Sequence, residues 1–349
     1  MMPDSQKQKH IIGWGLAGAT LAWQLHFRNQ PFVVHDSGYN YSTRVAAGIA
    51  NPIVFKRLTQ SWNADLLMPY AQNFYKKIEA ILGVKLISHI NIYYPFTNTE
   101  DENNWSVKTG DDRFKKWMEH TSLKGFDHVH TPYGMGKVNT FGNLDTARFL
   151  DDSKKYFLQQ GIEFETEKTD REIAAKNPEN DYIFCEGISV IENPLFNYLP
   201  MKTAHGEVLI IESEELNFKD VVSKNLFILP LGNQRFKVGA TYNWELTEPV
   251  TTESGKADLV ERLENLIDCS YKIIDHQAGI RPTVADRRPL LGIHPIQKNA
   301  YIFNGLGTKG VMLAPYYANH FLDFMLNGIL LDSGVSVDRF NKRFLKATK

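Results

Sequence analysis

Three glycines near the amino terminus constrain this chain most. Gly13, Gly15 and Gly18 form a G-x-G-x-x-G fingerprint whose flanking residues suit its use. Ile11 and Ile12 end a short apolar run that reads as a buried strand, and Leu16, Ala19, Ala22, Trp23 and Leu25 suit the packed face of a following helix. The turn between them is tight. Gly13 takes its backbone angles, Gly15 lets the main chain approach a pyrophosphate, and Gly18 lets the helix lie close to the strand. The diphosphate would rest on free amides at the positive end of the helix dipole, beside Leu16 and Ala17. A second strand over 31–36 ends in Asp36, whose carboxylate can accept hydrogen bonds from a ribose. An α/β fold with a Rossmann-like, dinucleotide-binding domain is therefore expected.

At 349 residues the chain exceeds a typical single core, so two domains are expected. Lys plus Arg number 39 against 40 acids, a net charge of -1, which argues against a dominant nucleic-acid or anionic-membrane surface. Cys185 and Cys269 form no metal-ligand cluster and no C-x-x-C, as for free thiols in a reducing compartment. Residues 1–9 lack the apolar core of a signal peptide and no stretch reaches the length of a membrane span, so a cytoplasmic protein without an integral membrane segment is expected. His10, His35, His89, His120, His128, His130 and His205 are scattered without metal-ligand spacing, and no metal is expected. There is no G-x-S-x-G before a helix and no phosphate-loop motif, so neither a serine hydrolase nor an ordinary nucleotide hydrolase is indicated.

Further along, apolar spacing through Leu66, Leu67, Tyr70, Phe74, Ile78 and Leu82 predicts a helix over 61–82 stopped by Gly83. Residues 84–96 read as strand, 97–112 as an exposed polar loop, 144–160 as a helix, and 182–187 as an apolar strand ending in Gly187. Segments 202–212 and 225–241 read as an antiparallel pair, and the last 80 or so residues return to alternating strand and helix. No composition shift marks a linker, so a domain boundary would be crossed several times.

Residues 277–292 read Q-A-G-I-R-P-T-V-A-D-R-R-P-L-L-G, and 301–315 read Y-I-F-N-G-L-G-T-K-G-V-M-L-A-P. With the amino-terminal fingerprint, these segments resemble the FAD-dependent D-amino-acid oxidase superfamily, and most closely its glycine and sarcosine oxidase branch. Gly142 to Thr146 resembles the family's G-x-x-D segment and Val238 to Thr241 its V-G-A-T strand; Val284 departs from the Thr often found in the family. The resemblance implies a Rossmann-like FAD-binding domain built from 9–60, 137–200 and 271–349, interleaved with a mixed-sheet α+β substrate domain built from 61–136 and 201–270. It implies an oxidoreductase acting on the C–N bond of an amino acid or secondary amine, with hydride passing to flavin N5 and the imine then hydrolysed. Oxygen or a carrier would accept the electrons. Neither cysteine lies in a motif for flavin attachment, so noncovalent FAD is expected.

Several residues can serve such chemistry. Gly305, Gly307, Thr308, Lys309 and Gly310 precede a predicted helix, where free amides and the Lys309 charge can stabilise an anionic reduced flavin. The segment that begins at Arg44 has little bulk between Ala46 and Ala50, so a flat ring can lie against Ala46, Ala47 and Gly48, and Gly187 ends a strand in the same domain. The guanidinium of Arg281 can grip a carboxylate through two parallel hydrogen bonds, and the resemblance implies that role; the residue equally suits a structural ion pair, for instance with Asp286. Tyr242 and Trp244 follow the V-G-A-T strand, suited either to the core or to a pocket wall. Two departures bear on specificity: Asp36 stands where many FAD proteins have Glu, and Lys309 where glycine oxidases have Arg. Two other functions are compatible with these motifs: oxidation of a carboxymethylaminomethyl group on a tRNA wobble uridine, and a non-catalytic flavin-binding redox module.

Overall fold

The computed structural model describes residues 7–38, 41–121, 125–167 and 169–347. The amino-terminal residues 1–6, part of the segment judged unlike a signal peptide, lie outside it. Among the described residues no helix is long and apolar enough to cross a membrane.

The apolar run before the fingerprint forms the strand Lys9–Ile12, whose four residues are all buried. It is central in a six-stranded sheet ordered Phe164–Glu165, Phe32–His35, Lys9–Ile12, Asp181–Phe184, Ala300–Asn304, Leu290–Ile293. All pairings are parallel except that of the last two strands, which form a hairpin. Strands covered on both faces need apolar residues at successive positions, as in Phe32-Val33-Val34. The helices Leu16–Phe27, Ala64–Leu82, Thr146–Gln159 and Gly310–Asn327 share the larger hydrophobic core with one face of this sheet. Phe196, Tyr198 and Leu199 join Ile12, Tyr182 and Phe184 on the other.

The second sheet has eight strands, ordered Lys272–Val284, Met201–Glu212, Arg235–Gly239, Leu226–Gly232, Val221–Lys224, Ile92–Pro95, Met135–Val138, Met118–Thr121. It is antiparallel apart from the junction of Val221–Lys224 with Ile92–Pro95. Alternation gives it two unlike faces. Leu209, Ile211, Ile228, Phe236 and Val238 pack with Leu259 and Leu263 of the helix Glu253–Glu264, whereas Gly206, Val208, Phe227 and Gly239 line a cavity.

Some elements depart from expectation. Residues 97–112 are not an exposed loop: they hold the helix Thr99–Thr109, capped by Asn98, whose side chain accepts from the Asp101 amide, and anchored by a fully buried Trp105. Segment 225–241 is itself a hairpin of two strands rather than one partner strand. The strand Lys272–Val284 pairs in the eight-stranded sheet although 271–349 was expected wholly in the nucleotide domain, and the helix Ala64–Leu82 joins the core of the six-stranded sheet although 61–136 was expected in the other domain.

Candidate functional site

A cavity of about 790 Å³ opens between the carboxyl ends of the parallel strands and the inner face of the large sheet. Its described lining carries three cations, Lys56, Arg281 and Lys309, and no Asp, Glu or His. The chamber is thus built for an anionic guest.

Two helix starts form part of its wall. Leu16–Phe27 begins after Gly15 and Gly310–Asn327 after Lys309; neither has a side-chain cap or an acid in its first turn. They converge, since a Cβ on Gly310 would stand 2.8 Å from Leu16 Cδ2. Two adjacent amino termini, neither capped by its own preceding residue, bring partial positive charge and amides to one place, with the Leu16 amide donating to Thr43 Oγ1.

The expected glycines divide by role. Gly15, Leu16, Ala17, Ala46, Ala47, Gly48, Gly187, Gly307, Thr308, Lys309 and Gly310 line the cavity. Gly13, Gly18 and Gly305 are not among its lining residues, and they act on the backbone around it. A Cβ on Gly13 would lie 2.7 Å from the Cys185 carbonyl oxygen, one on Gly18 would overlap the Gly13 carbonyl, and one on Gly305 would lie 2.6 Å from Val284 Cγ2. Asp36 and Arg44 are also outside the lining. Asp36 directly follows the second strand, Phe32–His35, rather than ending it as expected, and its carboxylate accepts from the Gly38 amide at 3.2 Å and pairs with Lys154 at 3.3 Å. Arg44 turns outward to a two-point ion pair with Asp151, at 2.5 and 3.1 Å, which leaves its guanidinium committed to a surface helix.

Arg281 lies on the cavity face of the Lys272–Val284 strand, its side chain over Gly206, where a Cβ would overlap the guanidinium. Its contacts are the carbonyls of Ala204, His205 and Thr241 at 3.3–3.4 Å and the Tyr242 ring, 4.6 Å from Cζ. These are long hydrogen bonds to neutral acceptors. The alternative partner Asp286 pairs with Arg339 at 2.9 Å instead. Burial pushes the Arg281 pKa downward, against a smaller upward pull from Tyr242. Tyr242 is 50% exposed at the rim, with Trp244 beside it at 5.2 Å between ring centroids.

Lys309 Nζ donates to the Asn51 carbonyl at 2.8 Å and to Ser61 Oγ at 2.7 Å, and burial pushes its pKa down to about 8. Cys185 also lines the cavity, but burial, aided by Glu186, pushes its thiol well up, which disfavours the reactive thiolate. Cys269 lies elsewhere, against Ser213 at 3.9 Å.

Sequence reasoning missed other parts of this wall. Lys237 Nζ donates to the Val45 and Ala46 carbonyls at 3.2 and 3.4 Å, tying the loop before Gly48 to the large sheet. Its position two residues before Gly239 places it on the cavity face, a signal that strand alternation offered. Gly206 and Gly279 pair across adjacent strands: Gly206 makes room for the guanidinium, and Gly279 lets Ser42 and Val45 lie against the strand. Thr43 accepts from the Leu16 amide at 3.1 Å, a contact between distant segments that no local pattern announces.

The model of a family described as FAD dependent oxidoreductase (DAO) matches residues 10–323. The tRNA 5-methylaminomethyl-2-thiouridine biosynthesis bifunctional protein of Legionella pneumophila (strain Corby) is 31% identical over 104 residues, covering 28% of this chain and 16% of the relative. That match therefore spans about a sixth of the relative's length. The glycine oxidase of Bacillus subtilis (strain 168) is 23% identical over 358 residues, covering 91% of this chain and 92% of the relative. Among solved structures, iminodiacetate oxidase from Chelativorans sp. BNC1 shares the fold with a TM-score of 0.73 at 16% identity, covering 94% of this chain and 99% of that one.

Proposed function

The chain belongs to the FAD dependent oxidoreductase (DAO) family, and we propose that it oxidises the C–N single bond of an amino acid or secondary amine. One observation carries this reading: Arg281 is sequestered on the cavity wall against neutral carbonyls, with no carboxylate among its contacts with the described residues. A substrate carboxylate would supply the missing counter-charge through two parallel hydrogen bonds, fixing the amine's orientation as well as its position.

The residues present fit FAD. The convergent helix starts at Gly15 to Ala17 and Gly307 to Gly310 suit its diphosphate and the anionic reduced ring, while Ala46, Ala47, Gly48 and Gly187 offer walls without bulk. Asp36 would serve the ribose end from outside the main cavity, with Lys154 holding its carboxylate. The buried, unactivated Cys185 supports noncovalent binding. Bound FAD supplies the two-electron acceptor, and oxygen or a carrier would restore it. The chain's own part is positioning: Arg281 holds the carboxylate, Tyr242 braces the guanidinium, and Lys309 adds a second cation. With no carboxylate or imidazole in the described lining, the site works by alignment rather than through a dedicated acid–base dyad. We assign the FAD-binding part to the six-stranded sheet with its helices, and the substrate-facing part to the eight-stranded sheet.

Adding glycine, sarcosine, D-proline and D- and L-amino acids in turn to the flavin-loaded protein without oxygen tests the proposal. The visible flavin band bleaches with at least one of them. Bleaching by dithionite alone would contradict the proposal and favour a non-catalytic flavin module.

The local match to the Legionella protein supports a second reading, oxidation of a carboxymethylaminomethyl group on a tRNA wobble uridine. The net charge of -1 weighs against it, and salt-dependent binding of tRNA would favour it.

A further inference from the structure

The wall facing the nucleotide end is much longer than a small amino acid. Val208 pairs with Gly239, Gly239 with Phe227, and Phe227 with Ser223 on successive strands; Tyr93 pairs with Val222, so Tyr94 follows on the same face as Ser223. All five cavity-face residues, Val208, Gly239, Phe227, Ser223 and Tyr94, line the one chamber. Four inter-strand steps of about 4.8 Å make this row roughly 19 Å long. Arg281 stands at its first end, over Gly206 on the strand that carries Val208. An amino acid the size of glycine, held by Arg281, would reach about one strand spacing along it.

The far half is an aromatic lobe. Phe55 meets Tyr94 with 5.0 Å between ring centroids at its end, and Phe227, midway along the row, leans away from them over Gly239, where a Cβ would stand 3.0 Å from its Cζ, which leaves the space over Ser223 between the rings. Tyr94 is held in place from behind: it stacks on buried Trp105 at 5.5 Å, and its hydroxyl accepts from Lys224, itself paired with Asp101 at 2.6 Å. Rings fixed in this way offer apolar area at little cost in lost side-chain freedom.

We propose that the substrate is an amino acid or N-substituted glycine bearing an aryl or large apolar group, with its carboxylate on Arg281 and its ring between Phe55, Tyr94 and Phe227. This inference rests on the amine-oxidising reading above and adds the substrate class. The ring can be borne on carbon or on nitrogen, and the test separates the two.

The FAD-loaded protein is titrated without oxygen with glycine, sarcosine, D- and L-phenylalanine and N-benzylglycine, and separately with acetate and phenylacetate, which report binding through the flavin spectrum without turnover. An aryl substrate should half-saturate at a concentration lower than glycine or sarcosine by about tenfold or more, and phenylacetate should bind more tightly than acetate by a similar factor. D- or L-phenylalanine being preferred places the ring on carbon; N-benzylglycine being preferred places it on nitrogen. Ser223→Trp, which fills the lobe, and Phe55→Ala, which opens its wall, should each reduce that preference while thermal melting confirms a folded chain. Equal binding of glycine and the aryl compounds, or a preference untouched by both substitutions, would overturn the lobe assignment. Phenylacetate binding more tightly than acetate, with no amine bleaching the flavin, would overturn the amine reading and the substrate class with it.

Discussion

Lys309 is the residue where charge and burial compete most openly. Its amine is enclosed with a carbonyl and a hydroxyl for partners, and its pKa falls to about 8 because burial penalises the cation. An anion entering the cavity favours the charged form, so binding should raise that pKa and take up a proton. The sign follows: carboxylate affinity is steady below about pH 8 and weakens as pH rises through that value. Titrating the FAD-loaded protein with acetate from pH 7 to 10 checks this, and Lys309→Met should flatten the dependence. Arg281 and Lys309 were both visible in the sequence, Arg281 through its R-P context in a family-like stretch and Lys309 among the glycines at 305, 307 and 310. What the sequence left undecided was the partner of Arg281. Asp286 is five residues away, but in the fold it turns to Arg339, and the guanidinium turns over Gly206. Arg44, by contrast, was placed in the site on the strength of its neighbours in sequence, while its long side chain reaches outward to Asp151.

At the scale of elements, alternation and glycine stops were legible. The helix Ala64–Leu82 ends at Gly83 as expected, and the strand before the fingerprint is buried along its length. The helix Thr99–Thr109 was not legible, because its apolar residues, buried Trp105 and exposed Val107, form no helical stripe in an acidic, polar window. It forms because Asn98 caps it, Glu100, Asp101 and Glu102 complement the dipole in its first turn, and Trp105 inserts against Gly136, Tyr94 and Phe96. The indole also donates to the Glu119 carbonyl at 3.0 Å. Trp105→Ala should therefore cost about 3–5 kcal/mol by denaturant melting, where an exposed loop residue would cost almost nothing. It should also weaken aryl ligands more than small ones by removing the support behind Tyr94.

For the whole molecule, the first and last motifs were legible because each is local, a strand, a turn and a helix start. The division between them was not. The strand Lys272–Val284 carries Arg281 in the large sheet while the hairpin that follows it returns to the parallel one, so the chain crosses between layers within a few residues. The cavity consequently draws its walls from Gly15 through Val311, and cofactor binding should stabilise both layers together. FAD at a hundredfold over its dissociation constant should add about 2.7 kcal/mol to unfolding in a single transition, a result that melting with and without FAD would check. In the proposed reaction this chamber holds an amine by its carboxylate on Arg281. The most direct test is the rate of anaerobic flavin bleaching against concentration of the best amine, for the natural chain and for Arg281→Met. The substitution should raise the half-saturating concentration by about a hundredfold and alter the limiting rate far less, with Arg281→Lys in between. Half-saturation unchanged in Arg281→Met would contradict this binding mode.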